Sequence, residues 1–266
     1  MTKQPIGIFD SGLGGLTVLR ALRKALPHED FIYFGDTANV PYGAKSKQTV
    51  THLSLSIAQF LQTQHVKLIV VACNTASAQA LSTLKKQCTV PVLGVIEPGA
   101  RKALQTTVNN RIAVLGTEGT VRSKAYEKAL KKLCKTSRIF AQACPLFVPL
   151  VEEGWTRTPV AQLVATQYIK SVQKSKADTV ILGCTHYPLL RHTLAEVLGP
   201  NVQLVDPADT LAQEVKTVLA KQGNLEQNGN GKICMYASDD PTRFKLLAKR
   251  ILGERISSVH LKKLTV

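Results

Sequence analysis

The chain has 266 residues, of which 44% are hydrophobic and 20% are charged, and it carries a formal net charge of +16. This length suits one large globular domain or two modest ones, and no apolar stretch approaches the roughly 20 residues of a transmembrane helix. The six cysteines are scattered and include no Cys-x-x-Cys pair, which argues against a disulfide framework and against a thiolate zinc site.

The first residues, Met1–Pro5, lead directly into an apolar run and lack the features of a signal peptide, so we expect a cytoplasmic protein without a membrane anchor. Apolar runs then predict strands at Ile6–Phe9, Phe31–Phe34, Lys67–Ala72, Val92–Val95, Ile112–Leu115, Arg138–Ala141, Thr179–Leu182, Val202–Val205 and Ile233–Tyr236. Helical patterns between them include Leu16–Leu26, Lys47–Gln62, Val121–Lys135 and Pro159–Gln173. This alternation is typical of α/β proteins with mostly parallel sheets covered on both faces.

Four short segments recur in the same order, displaced by 106, 108, 111 and 109 residues. The pairs are Ile6–Gly12 with Ile112–Glu118, Val40-Pro41 with Val148-Pro149, Val70–Thr75 with Ile181–His186, and Glu97-Pro98 with Asp206-Pro207. The constant order and spacing predict two similar α/β halves related by a pseudo-twofold axis.

The second half ends near Pro207, and the tail contains a helical pattern at Thr210–Lys221, a turn, a strand and a further helix. Because this is too little for a third domain, we expect the tail to complete the first half. The predicted domains are 1–97 plus 208–266, and 98–207. Both are α/β domains with mostly parallel central sheets, and the active site is expected in the cleft between them.

Ligands of open α/β sheets bind beyond the carboxyl ends of the strands. The segments at those positions are Asp10-Ser11, Pro41-Tyr42-Gly43, Cys73-Asn74-Thr75 and Cys184-Thr185-His186. Helices are predicted after both cysteines, at Ala76–Lys86 and Pro188–Leu198, and a helix N-terminus favours a thiolate. Two thiols facing each other across a cleft are suited to removing a proton from one face of a substrate Cα and returning one to the other.

His186 lies two residues after Cys184, and Asp10 sits at the equivalent end of the first half, so we expect Asp10 to support Cys73 and His186 to support Cys184. The structural alternatives stay open: Asp10 or Ser11 is also suited to capping the helix after the glycine-rich loop, and His186 to a satisfied position in the core. Donors available for substrate carboxylates are Ser11, Asn74, Thr75, Thr117, Thr120, Thr185 and the backbone N–H groups near Tyr42 and Gly43.

Gly12-Leu13-Gly14-Gly15 follows the first strand, but Thr17 stands where a dinucleotide-binding fingerprint requires its third glycine. A phosphate-binding Gly-Lys-Ser/Thr motif is also missing from the sequence. We therefore expect neither a nucleotide cofactor nor a bound metal.

The longest motifs resemble those of the bacterial glutamate racemases. They are Gly7–Val18, Pro41-Tyr42-Gly43, Ala72–Ala78 and Gly183–Leu189, and the resemblance extends to Ser238–Pro241 near the end of the chain. It implies a two-domain aspartate/glutamate racemase fold and the interconversion of L- and D-glutamate without a cofactor. In bacteria that reaction supplies D-glutamate for peptidoglycan, and the resemblance further implies a homodimer.

The resemblance assigns catalysis to Cys73 and Cys184, supported by Asp10 and His186. It places substrate contacts at Ser11, Tyr42, Gly43, Asn74, Thr75, Thr185 and His186, and it matches Glu152 to an acidic residue beside the pocket. Further candidates for substrate binding, which the resemblance does not assign, are Asp10, Pro41, Thr117 and Thr120.

Two alternatives are compatible with the same residues. The first is a racemase for aspartate or another acidic amino acid, which would use the same two thiols. The second is an additional role in nucleic-acid binding, motivated by the net charge of +16. Against it, the basic residues are dispersed, and the densest groups are pairs such as Lys85-Lys86 and Lys131-Lys132.

Overall fold

The computed structural model describes residues 4–253 and 256–264. Residues 1–3, 254–255 and 265–266, which the predicted first domain includes, lie outside the described residues. Within the described part, no helix has both the length and the apolar character needed to cross a membrane.

Ten strands are described, and they form two parallel sheets. They are β1 (Ile6–Asp10), β2 (Phe31–Gly35), β3 (Leu68–Val71), β4 (Val92–Gly94), β5 (Arg111–Gly116), β6 (Arg138–Ala143), β7 (Thr179–Gly183), β8 (Gln203–Val205), β9 (Ile233–Ala237) and β10 (His260–Leu261). The α-helices are α1 (Leu16–Ala25), α2 (Lys47–Thr63), α3 (Asn74–Gln79), α4 (Leu81–Gln87), α5 (Ile96–Thr106), α6 (Glu118–Ser123), α7 (Ala125–Leu133), α8 (Phe147–Glu152), α9 (Pro159–Lys174), α10 (Arg191–Leu198), α11 (Pro207–Lys221) and α12 (Pro241–Leu252).

The strand order is the same in the two sheets over four strands. The larger sheet runs β10-β9-β2-β1-β3-β4 and the smaller one β6-β5-β7-β8, and every described pair is parallel. Each sheet with its helices is an α/β domain, which confirms the predicted fold class; we call them the first and the second domain. The common order gives β3 and β7 equivalent positions, and these two strands end just before Cys73 and Cys184.

Continuous burial explains why the central strands are apolar over most of their length. Every residue of β1, β2, β3 and β7 is buried, because helices cover both faces of each sheet. In the first domain, α1 contributes Leu16 and Leu19 to one face, and α2 contributes Ile57 and Leu61 to the other.

The tail returns to the first sheet, where β9 pairs with β2 and the short strand β10, which the sequence did not indicate, pairs with β9. The boundaries 97/98 and 207/208 stay a prediction. The first of them falls inside α5, whose Ile96, Ala100 and Ala103 pack against Ile112 of β5.

Three predicted helices are interrupted in the structure, and in this respect the predictions are wrong. The segment predicted as Val121–Lys135 breaks at Lys124, whose φ of 54° is left-handed and incompatible with a continuous helix. The segment Ala76–Lys86 is divided between α3 and α4 at Ala80. The segment Pro188–Leu198 begins as a 3₁₀ turn, Tyr187–Leu190, before α10.

Candidate active site

A cavity of about 250 Å³ lies where the carboxyl ends of the two sheets meet. It is smaller than the roughly 300 Å³ at which pockets for drug-sized ligands begin, and it suits a small metabolite. Residues from both domains line it: Ser11, Val40, Pro41, Tyr42, Gly43, Ala44, Cys73, Asn74, Thr75, Thr117, Glu118, Pro145, Val148, Pro149, Glu152, Cys184, Thr185 and His186.

Most of the predicted site residues are thus in one place, and two are displaced from the wall. Asp10 is fully buried behind the cavity, and Thr120 lies behind Thr117, whose Oγ1 donates to Thr120 Oγ1 at 3.0 Å. Neither residue is among those that line the cavity, but each is bonded to one that does, Asp10 to Thr185 and Thr120 to Thr117.

Cys73 follows β3 and is the N-cap residue of α3. Its Sγ accepts a hydrogen bond from the backbone N–H of Ala76 at 3.5 Å and donates to Oγ of Ser11 at 3.8 Å. The helix was expected to favour the thiolate, but burial and the nearby carboxylate of Asp10 outweigh it and raise the pKa of Cys73 to about 12. This raised pKa favours the neutral thiol at Cys73.

Cys184 follows β7 and lies beside His186, with 3.8 Å between Sγ and Nδ1. The other ring nitrogen, Nε2, is 3.2 Å from Oε1 of Glu152. Burial lowers the pKa of His186, but the hydrogen bonds with Cys184 and Glu152 and the charge of Asp10 outweigh it and raise this pKa to about 10. An imidazolium at this position donates to a thiolate at Cys184 and stabilises its charge.

The raised pKa of His186 makes the stability of the protein depend on pH. Because the folded pKa of about 10 exceeds the ordinary 6.5, the folded state holds the proton more tightly. The stabilisation is complete below pH 6.5 and is lost as the pH rises through about 10. We expect the free energy of unfolding of the wild type to fall by up to about 1.4 kcal/mol per pH unit more steeply in this window than that of His186→Gln.

Denaturant titrations at several pH values measure this difference. His192→Gln is the matched control, because His192 is exposed and pairs with Glu196 on its own helix. Parallel stability curves for the wild type and His186→Gln would show that His186 is not held as a cation.

Asp10, at the end of β1, reaches towards the second domain. Its carboxylate accepts from the backbone N–H of Gly12 at 3.0 Å and from Oγ1 of Thr185 at 3.3 Å. Burial raises the pKa of Asp10, and the charge of His186 partly offsets this. The hydrogen bond to Gly12 lies in the loop before α1, whose N-cap residue Gly15 has no side-chain cap, so it does not support the capping alternative. The hydrogen bond with Thr185 and the charge interaction with His186 connect Asp10 to the Cys184 segment, although the sequence had assigned it to Cys73.

Polar groups at the cavity wall are fixed by bonds between the domains. The hydroxyls of Thr75 and Thr117, from the first and second domains, are 2.8 Å apart. The phenol of Tyr126 on α7 donates to Oδ1 of Asn74 at 2.7 Å. This bond uses the acceptor of the amide and leaves the N–H groups of Asn74 to donate to another group.

Sequence reasoning missed several lining residues, namely Val40, Ala44, Glu118, Pro145, Val148 and Pro149, as well as Tyr126 behind the wall. The sequence did contain a signal for three of these residues, Val40, Val148 and Pro149, because they belong to a repeated pair of residues. Val40-Pro41 and Val148-Pro149 were paired as repeats, and both pairs line the cavity from their own domains. The sequence repeat therefore indicated cavity-lining residues in both domains as well as the second thiol.

Comparison with known proteins gives matches over nearly the whole chain. A family model described as Asp/Glu/Hydantoin racemase matches residues 9–215. The glutamate racemase of Geobacter metallireducens is 50% identical over 262 residues, which cover 98% of this chain and 97% of that protein.

Solved structures are similar over the same length. A glutamate racemase isoform from Bacillus anthracis has a TM-score of 0.96 at 38% identity, covering 99% of this chain and 98% of that one. The glutamate racemase of Francisella tularensis, solved in complex with D-glutamate, has a TM-score of 0.93 at 34% identity, with 98% of each chain covered.

Proposed function

Because this chain belongs to the Asp/Glu/Hydantoin racemase family, we propose that it interconverts L- and D-glutamate, with Cys73 and Cys184 as the two acid/base groups. The racemase reaction follows from the family, and glutamate is the substrate named for the relatives that match it over nearly its full length. Aspartate, the alternative substrate, is tested by the same assay.

One observation carries the assignment of the two thiols: they come from equivalent strands of different domains and line the same small cavity. A thiolate on one side removes the Cα proton and becomes a thiol, while the thiol on the other side donates its proton to the opposite face and becomes the thiolate. The total charge of the pair is unchanged. Reversal of the two roles serves the opposite enantiomer.

The remaining site residues are proposed to bind the substrate and to stabilise the developing negative charge. The hydroxyl of Ser11 and the side-chain N–H groups of Asn74 are the donors at the wall that we propose to bind carboxylates, since the hydroxyl protons of Thr75, Thr117 and Thr185 are used within the protein. The imidazolium of His186 supports the thiolate of Cys184. Such preorganised donors stabilise a carbanionic transition state more strongly in a cavity sheltered from water.

We further propose that the enzyme is cytoplasmic, that it is a homodimer, and that its D-glutamate is used in peptidoglycan synthesis and so in maintaining cell shape. The biosynthetic role rests on the resemblance to bacterial glutamate racemases. Large apolar side chains exposed at and before the start of α9, namely Trp155, Val160 and Leu163, support the dimer. The nucleic-acid role stays a hypothesis that rests on the net charge of +16 alone.

Racemisation in deuterated water tests the proposal. We expect L-glutamate, incubated without added cofactor, to lose its circular dichroism signal and to yield D-glutamate with one deuterium at Cα. Residual L-glutamate keeps its protium at low conversion, because the second thiol supplies a proton only to the opposite face. Product that retains its original proton would contradict the two-base mechanism, and faster conversion of aspartate would establish the alternative substrate.

A further inference from the structure

The backbone turn that follows Cys184 lacks one of the hydrogen bonds that a 3₁₀ turn normally contains. In the 3₁₀ turn after Cys184, the backbone N–H of Tyr187 donates to the carbonyl of Cys184 at 3.1 Å, and that of Leu189 donates to the carbonyl of His186 at 3.0 Å. The carbonyl between them belongs to Thr185, and the residue at the corresponding position is Pro188. Because proline has no N–H, the turn leaves the carbonyl of Thr185 without a donor.

A hydroxyl from the first domain supplies the missing donor. Thr17, on α1, is buried and its Oγ1 lies 3.0 Å from the carbonyl oxygen of Thr185. The same hydroxyl is 2.9 Å from the carbonyl of Gly14, but that carbonyl already accepts from the backbone N–H of Thr17 at 3.0 Å. The carbonyl of Thr185 therefore depends on this hydroxyl more than the carbonyl of Gly14 does.

The side chain of Thr185 is also held by the first domain, since its Oγ1 donates to Asp10. Main chain and side chain of Thr185 are thus both fixed to the domain that carries Cys73. Thr185 stands between Cys184 and His186, so its position sets where these two side chains lie relative to Cys73.

We propose that Thr17 is a positioning residue that holds the Cys184–His186 segment in register with Cys73 across the interdomain cleft. This inference rests on the proposed function, because it concerns the relative position of two thiols that act on the same substrate carbon. Thr17 is not among the residues that line the substrate cavity, and its hydroxyl acts through the carbonyl of Thr185.

Thr17→Val tests the proposal, because valine keeps the shape of the side chain and removes the donor. We expect kcat to fall by about 10- to 100-fold, with KM changing less than about threefold, because small displacements of catalytic groups cost turnover steeply. Thr17→Ser retains the hydroxyl and is expected to stay close to the wild type. Thr17→Ala provides the same comparison should the valine variant not fold.

Two further measurements separate positioning from general stability. We expect only the proton transfer at Cys184 to be slowed. The primary isotope effect with α-deuterated glutamate should therefore rise for the enantiomer that Cys184 deprotonates, and not for the enantiomer that Cys73 deprotonates. Pro188→Ala adds an N–H to the turn and is expected to restore part of the activity that Thr17→Val loses.

Thr193→Val is the matched control, since Thr193 is a buried threonine whose hydroxyl donates to a carbonyl, that of Thr156, within the second domain. It is expected to lower stability without the one-sided isotope effect. The proposal is overturned if Thr17→Val turns over like the wild type, if Thr17→Ser is as impaired as Thr17→Val, or if Thr193→Val shows the same asymmetry. A wild type that does not racemise glutamate would instead refute the proposed function.

Discussion

Cys73→Ala and Cys184→Ala are each expected to lower the rate of racemisation by at least about 10³-fold while leaving the fold intact. Each turnover needs one thiolate to take a proton and one thiol to give a proton, and general acid–base groups of this kind contribute about 10²- to 10⁴-fold each. Alanine removes one partner completely. The measurement is the rate of loss of circular dichroism from L- and from D-glutamate, with far-ultraviolet spectra reporting the fold.

Cys88→Ala is the control, because Cys88 is a half-buried cysteine that follows α4 and does not line the cavity. It should racemise like the wild type. Each active-site variant keeps one thiol, so any residual exchange of the α-proton in deuterated water should be confined to one enantiomer. Turnover within tenfold of the wild type in Cys73→Ala or Cys184→Ala would rule out the two-thiol mechanism.

The larger features of the fold could be predicted because they depend on local patterns. Buried parallel strands are apolar over most of their length, so the run before Cys73 and the run before Cys184 were both identifiable as strands. Repetition of the surrounding motifs then indicated that the strands are equivalent. The break at Lys124 was not predictable, because a left-handed conformation without glycine leaves no mark in the sequence pattern.

The details of the site depend on how the two domains face each other, and the sequence does not encode that arrangement in any local pattern. Asp10 was assigned to Cys73 because both belong to the first half, but its side-chain partner is Thr185 of the second domain. The sequence likewise did not indicate that the pKa of Cys73 is raised. A helix start after the cysteine is visible in the sequence, whereas the burial of the thiol and the approach of the Asp10 carboxylate are visible only in three dimensions.

Gly14 shows how closely the two domains approach each other at the catalytic segment. A Cβ added to Gly14 would collide with Oγ1 of Thr185 and would lie 2.7 Å from Cε1 of His186. These side chains have little freedom to move away, because Thr185 is bonded to Asp10, and His186 is held between Cys184 and Glu152. A methyl group at this position must therefore displace the catalytic segment itself.

We expect Gly14→Ala to lower kcat/KM by about 10²-fold or more, because a displacement of about 1 Å at a catalytic group costs that much. Kinetics in both directions, together with the free energy of unfolding, measure the effect. Gly7→Ala is the matched control, since the nearest atoms to a Cβ there belong to the core side chains Val66 and Leu61, so the change should cost stability while leaving turnover intact. If Gly14→Ala lost no more activity than Gly7→Ala, the catalytic segment would have to be free to move, and the close interdomain contact would not set the distance between the two thiols.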